Sequence, residues 1–252
     1  MILLFLQVNY SKEMSFTQKL RRIDYTGNFL LVASTVSILY AMTYGGTREA
    51  WSSWRIILPL ILGILGLGLF MFVETLEIVK EPVVPPRLFA NRTSATVFAV
   101  TFLNSALLYW MLFFLPVYFQ AVLGSSPARA GVQLLPSIAI AIPFAIVAVL
   151  LLAKFGKYKQ LHFFGFALNT VGLGLFALLD ENSSIAEWGI FQIIAAGGSG
   201  FVLNTLLPAC QTPLEEKDQA AATATWSFIR SFGNIWGVSI VLNSPSLSPL
   251  MD

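Results

Sequence analysis

Long stretches without a single charged residue divide this chain, and their length restricts what it can become. The uncharged intervals are Tyr25–Thr47, Ile56–Val73, Thr93–Ala128, Ala130–Ala153, Gln160–Leu179 and Trp188–Leu214; a last one, Ala220–Leu242, is broken only by Arg230. A helix rises about 1.5 Å per residue, so about 20 apolar residues cover the roughly 30 Å hydrocarbon core of a bilayer. Only helices or closed barrels satisfy their backbone polar groups in lipid. Barrel strands are shorter and alternate in polarity, which these intervals do not. The expected fold is an all-α polytopic membrane protein with about seven transmembrane helices, near 27–46, 55–73, 94–119, 132–153, 161–179, 188–208 and 220–242.

Composition agrees. The chain is 56% hydrophobic and only 11% charged, against about 25% charged in a soluble domain. That much apolar surface exceeds what the core of a 252-residue soluble protein can hide, so the excess faces lipid. A net charge of +2 gives no support for a nucleic-acid partner. The single cysteine, Cys210, excludes an intrachain disulfide, and with one histidine, His162, it cannot build a zinc-type cluster. Met1–Val8 is too short for a signal peptide and lacks a basic flank; it reads as the end of a preceding helix.

The turn residues fall where the charges do. Gly45-Gly46 closes the first helix, Pro82, Pro85 and Pro86 sit in the second connection, and Gly124-Ser125-Ser126-Pro127 makes a tight link. Asp218 is placed as the N-cap of the seventh helix. Asn243–Asp252 is a polar, proline-containing tail.

Basic residues set the orientation. With the N-terminus in the cytoplasm, Lys12, Lys19, Arg21, Arg22, Lys80, Arg87, Arg92, Lys154, Lys157, Lys159 and Lys217 are all inside, and only Arg48, Arg55 and Arg129 are outside. That asymmetry is the positive-inside pattern. The Asp180–Glu187 loop is then external and carries the sequon Asn182-Ser183-Ser184. Asn9-Tyr10-Ser11 and Asn91-Arg92-Thr93 match the same pattern on the inner side, so the sequon says little alone.

Enzyme chemistry has no foothold. The chain has no GxSxG, Walker loop or HExxH, and no carboxylate pair inside a helix that could work as acid and base. The expectation is a protein that is not an enzyme and needs no cofactor or metal.

The seventh helix is the most informative. Thr223, Ser227, Arg230 and Asn234 follow at i, i+4, i+7 and i+11, which is one stripe of a helix. Counted from Asp218, Arg230 stands about 18 Å up the helix, near mid-membrane. An arginine there costs about 2.5–3.5 kcal/mol unless it faces protein or water. It is either a cation lining a cavity or a structural arginine bonded to carbonyls or reaching for the interface. Gly233 and Gly237 form GxxxG on the same helix, and Ala196 and Gly200 repeat the small-xxx-small spacing in the sixth. Such residues let helix backbones approach closely, as static packing or as a sliding interface. Asn104, Tyr109, Asn169, Gln192 and Asn204 are further polar residues at membrane depth; such an amide is more often an interhelical bond than a ligand contact. Trp51 and Trp54 read as interfacial anchors. The loop Lys154-Phe155-Gly156-Lys157-Tyr158-Lys159 is explained as a topology anchor.

Several motifs, in order, resemble the fourteen-helix drug:proton antiporters of the major facilitator superfamily, especially fungal multidrug and toxin exporters. They are LPVYFQAVLGSSPARAGVQLLP (Leu115–Pro136), KFGKYK (Lys154–Lys159), GFALNTVGLGLFALLD (Gly165–Asp180), the GGSG run with Gln211, SFIRSFGNIWGVSI (Ser227–Ile240) and RIDYTG (Arg22–Gly27). The resemblance covers roughly 20–242 and implies a partial major facilitator fold. Residues 1–26 are then the end of a preceding helix plus a cytoplasmic linker, 27–73 the central extra helix pair and 74–93 a cytoplasmic loop. Residues 94–242 are an incomplete C-terminal transporter domain, and 243–252 a polar tail.

The same resemblance makes helices 94–119, 132–153, 188–208 and 220–242 the cavity-lining ones. It puts Asn104, Tyr109, Gln192, Asn204, Arg230 and Asn234 forward as cavity residues, with Ala196, Gly200, Gly233 and Gly237 packing helices. It implies rocker-type alternating access. Its partners would be the lipid bilayer, a small amphipathic organic substrate and protons. The location would be the plasma membrane, or the vacuolar membrane as the alternative. The six N-terminal helices of that family, with their antiporter motif and membrane-embedded carboxylates, do not occur in this sequence. A truncated half is therefore expected, one that does not transport alone and could associate with another transporter chain. A seven-helix receptor is the competing class. Against it stand an inside N-terminus and the absence of a DRY-like triplet, NPxxY and a second cysteine.

Overall fold

The computed structural model describes residues 24–46, 48–75, 84–85 and 87–242, without the side chains of Lys217, Val241 and Leu242. The readings of 1–23 and of the tail 243–252 lie outside the described residues. So do Pro82 and Pro86.

Most of the charge-free sequence becomes helix. The elements are α1 (Tyr25–Tyr44), α2 (Trp54–Thr75), the short α3 (Arg87–Ala90), α4 (Arg92–Ala121), α5 (Pro127–Gln133), α6 (Leu135–Phe155), α7 (Tyr158–Leu175), α8 (Ile185–Gln211) and α9 (Glu216–Leu242). Phe176–Leu178 adds a 3-10 turn to α7. Among the described residues there is no strand, only an isolated bridge between Gly45 and Glu49. Among the described residues six spans are long and apolar enough to cross a membrane: α1, α2, α4, α5–α6, α7 and α8. α9 is also long, at 27 residues. Thr223, Thr225, Ser227, Arg230, Ser231 and Asn234 make it the polar member of the set.

Local chemistry fixes the ends. Asp24 caps α1 by accepting from the Gly27 amide at 2.8 Å. Gly46, Gly124 and Gly156 take positive φ at three turns, where a β-carbon would be strained. Ser126 caps α5 with Pro127 behind it, and Ser184 forms a capping box with Glu187 on α8. The fourth expected span is broken at Leu134, because Pro136 has no N–H to return to the Val132 carbonyl. Asp218 is not an N-cap: α9 starts at Glu216, and Asp218 sits in its first turn. Its carboxylate instead accepts from Arg87 Nε at 2.9 Å and Nη2 at 2.7 Å, tying α3 to the foot of α9.

Packing runs through small residues. α8 is the axis: 61% of its span is buried, against 17% for α2 and 11% for α5–α6, which leave most of their surface for lipid. α8 packs against α7, α6 and α4, α9 lies along α4, and α1 pairs with α2 and touches α9. A β-carbon at Gly198 would strike the Gly165 carbonyl of α7 at 2.6 Å, and one at Gly200 the Ala141 carbonyl of α6 at 2.6 Å. One end is pinned by the Tyr118 hydroxyl, which donates to the Asp180 carbonyl at 2.7 Å. At the other end the Ser94 hydroxyl donates to the Cys210 carbonyl at 3.3 Å.

Candidate functional site

A buried polar group must find a partner or carry a cost of about 1–3 kcal/mol. Sorting the polar side chains by partner separates those that hold helices together from those left for something else.

Gln192 is in the first class. It is fully buried. The Ser137 hydroxyl donates to its Oε1 at 2.7 Å, and its Nε2 donates to the Gln133 carbonyl at 3.1 Å. It staples α8 to the α5–α6 break, where Pro136 has loosened the backbone. Asn169 belongs here in part: its Nδ2 donates to Ser199 across the α7–α8 contact, while its buried Oδ1 has no partner. His162 Nε2 lies 3.0 Å from the Thr205 hydroxyl in the same interface. Ser137, Ser199 and Thr205 are not singled out in the sequence. The only signal there is the seven-residue spacing of Gly165 and Gly172, which presents a flat face of α7 to α8.

Other groups are left over. Asn104, on α4, is fully buried, yet neither its Oδ1 nor its Nδ2 has a hydrogen-bond partner. Thr225 Oγ1, Trp226 Nε1, Asn234 Oδ1 and Trp236 Nε1 on α9 are likewise buried atoms without one. Buried unpaired polar atoms are uncommon in native folds. Here six residues carry them on two adjacent helices, Ser105 of α4 included, and Asp24, Thr35, Gln133 and Asn169 carry others elsewhere. Arg230 is half-buried, its guanidinium 5.4 Å from the centre of the Trp226 ring. A cation over an aromatic face is held in place without being neutralised. The two tryptophans are not predicted from the sequence. Their i−4 and i+6 offsets from Arg230 give no more than a hint.

One bond sets the register. Gln211 Nε2 donates to the Thr223 hydroxyl at 2.8 Å, joining the end of α8 to the start of α9. The two helices run antiparallel. Asn204 lies seven residues back along α8 and Arg230 seven residues on along α9. Seven residues are nearly two full turns, so each stays on its own helix face, roughly 10 Å beyond the bond. Asn204 and Arg230 thus lie about equally far from this bond, each on its own helix. Asn204 is exposed, Ser227 is exposed, and Thr223 and Asn234 are half-buried. The result is a polar ledge on an otherwise apolar bundle.

The remaining expected residues sit around it. Tyr109 of α4 is half-buried and stacks on Phe113 with ring centres 6.4 Å apart. β-carbons at Gly233 and Gly237 would meet the Phe102 carbonyl at 2.5 Å and the Trp110 amide at 2.8 Å, so these glycines bring α9 against α4. Ala196 is buried in a cluster with Met111 and Leu115. Among the described residues no group of three or more His, Cys, Asp or Glu could hold a metal ion.

Known proteins are similar to this chain over most of its length. The profile of the fungal trichothecene efflux pump family matches residues 4–186. The chain is 51% identical over 239 residues to the MFS-type transporter TwmF of Talaromyces wortmannii, covering 95% of this chain and 44% of that protein. It is 44% identical over 239 residues to the MFS-type efflux pump LUC4 of a Fusarium species, covering 95% and 42%. It is 43% identical over 237 residues to the efflux pump FUS6 of Gibberella fujikuroi, covering 94% and 43%. The chain spans less than half the length of these curated relatives. Transporter relatives and membrane-length helices leave no room for the receptor class. This chain is an integral membrane protein of the fungal trichothecene efflux pump family, within the MFS-type transporters.

Proposed function

We propose that this chain forms one wall of the substrate path of an efflux transporter that moves small amphipathic organic compounds outward in exchange for protons. One observation carries the reading. Asn204 and Arg230 lie about equally far from the Gln211–Thr223 bond, with Asn234 roughly 6 Å further along α9, beside the unpaired amide of Asn104. A transported molecule must leave as well as enter. Groups held without saturated partners can bind it and release it, whereas groups already paired, such as Gln192, would have to break a staple first. Arg230 supplies the positive field and Trp226 the apolar face for a ring. Gly233 and Gly237 let α9 slide on α4 between inward-open and outward-open states. The basic ends of α4 and α7, with Lys154 and Lys157, face the cytoplasm in this reading.

The test is binding to the chain in lipid nanodiscs. A trichothecene is the first compound to try, since the matching family is described by that class. Quenching of the six tryptophans reports occupancy. The expected result is saturable quenching that Arg230→Gln weakens about tenfold, one lost polar contact of about 1.4 kcal/mol. Quenching that is unchanged by both Arg230→Gln and Asn234→Leu overturns the assignment. No proton-driven uptake is expected from the 252-residue chain alone in proteoliposomes.

A further inference from the structure

Two carbonyls lose their usual partners where α5 meets α6. Pro136 has no N–H for the Val132 carbonyl four residues back. The Ser137 amide donates to the Leu134 carbonyl at 3.1 Å, three residues back, and so passes over the Gln133 carbonyl. The Leu134 amide also reaches back only three residues, to the Gly131 carbonyl at 3.3 Å. Such three-residue bonds inside a helix, beside a proline, mark a joint in the backbone.

α8 fills the gap. Gln192 Nε2 donates to the Gln133 carbonyl on the α5 side, at 3.1 Å. Its Oε1 accepts from the Ser137 hydroxyl on the α6 side, at 2.7 Å. One fully buried side chain therefore spans the break, standing in for the bond a continuous helix would make between Gln133 and Ser137. These three residues meet within the bundle, and their bonds need no partner from outside it. α5 meets the same core through Ala130, one methyl among Leu115, Phe119 and Trp188. A contact that small and a single amide bond restrain a seven-residue helix weakly. Gln133 also carries a second acceptor, its side-chain Oε1, which is buried without a partner.

We propose that α5 turns about Leu134 between two positions, and that Gln192 is the latch for the one described here. In the second position the bend is shallower. The Ser137 amide donates to the Gln133 carbonyl, and Gln192 Nε2 moves to the orphan Oε1 of the same residue. One amide takes the carbonyl as the other leaves it, so the exchange strands no buried group. Two discrete arrangements of one joint let a packed bundle change shape without melting. The joint is a property of the fold and does not rest on the ledge as a binding surface.

The experiment measures the position of α5 by double electron–electron resonance on the full chain in nanodiscs. Spin labels go on Arg129→Cys of α5 and Phe163→Cys of α7, both exposed positions, in a Cys210→Ser background. The otherwise native chain should show one dominant distance. Gln192→Met keeps the bulk of the side chain but neither bond. It should raise the ratio of a second distance to the first about fivefold, the weight of one net hydrogen bond. Pro136→Ala supplies the missing N–H and removes the ring, so it should give that same second distance alone. Ser137→Ala leaves the link from Gln192 to the Gln133 carbonyl in place and should keep the first distance dominant. A Gln192→Met distribution that matches the native one overturns the proposal. So does one that only broadens, without a peak at the Pro136→Ala distance, because that is loosening rather than a switch. If Gln192→Met does not fold, Pro136→Ala decides alone: an unchanged distance there overturns the proposal.

Discussion

α8 and α9 follow one another in the chain, each 27 residues long and each carrying polar side chains at membrane depth. In α8 three of those side chains are matched: Gln192 to Ser137 and Gln133, Ser199 to Asn169, Thr205 to His162; Asn204 is the exposed exception. Gly198 and Gly200 bring the neighbouring backbones into contact around them, and Gly197 seats the Phe144 ring. In α9 Thr225, Trp226, Asn234 and Trp236 keep polar atoms without partners, and Arg230 has only a ring beneath it. The difference teaches that polarity in a membrane helix has two uses, and that the partner list separates them. α8 is built to stay where it is. In the proposed reading, α9 meets something that comes and goes.

Substitutions should divide the same way. The largest effect belongs to Gly198→Leu, which drives a side chain into the Asn169 and Gly165 backbone of α7. A loss of about 3 kcal/mol is expected, read as a collapse of thermal stability in detergent. If Gly198→Leu were tolerated, α8 would not be the rigid axis. Gln192→Leu comes next. It strands Ser137 and the Gln133 carbonyl and should cost about 1–3 kcal/mol. A double-mutant cycle with Ser137→Ala should recover part of that loss, because the two share one bond.

Smaller effects follow on α9. Asp218→Asn weakens the tie to Arg87, whose side chain is 58% exposed, so the expected loss is about 0.5–1 kcal/mol and shrinks in high salt. Arg230→Gln should leave stability unchanged or slightly raised, since it removes a charge that lipid disfavours. Its effect should show in ligand binding alone. A large loss of stability from Arg230→Gln would make that arginine structural and erase the contrast between the two helices.

How much of this is legible in the sequence follows from range. Helix positions are, because a charge-free interval states its own length; α4, α7 and α8 run a few residues beyond the apolar estimate, through capping residues such as Asn91 and Ser184. The stripe on α9 is legible too, since i, i+4, i+7 spacing is local. Which amides are already satisfied is not. Gln192 and Asn104 look alike in the sequence, and only the fold brings Ser137, 55 residues away, to one of them. The Arg87–Asp218 pair, 131 residues apart, is invisible for the same reason, which is why Asp218 reads as a cap. The break at Leu134 was open to inference from Pro136 alone.

Water access tests the contrast most directly. In a Cys210→Ser background, cysteine is introduced at one position at a time by Ser227→Cys, Asn234→Cys and Asn204→Cys on the ledge, and by Gln192→Cys and Ser199→Cys in α8. Each variant in membranes meets a water-soluble maleimide. The ledge positions should be labelled rapidly, and the α8 pair should stay unreactive until detergent unfolds the chain. Inert ledge positions beside a reactive Gln192→Cys would contradict the account, because the polar face of α9 would then be turned to lipid or protein and the path would run along α8.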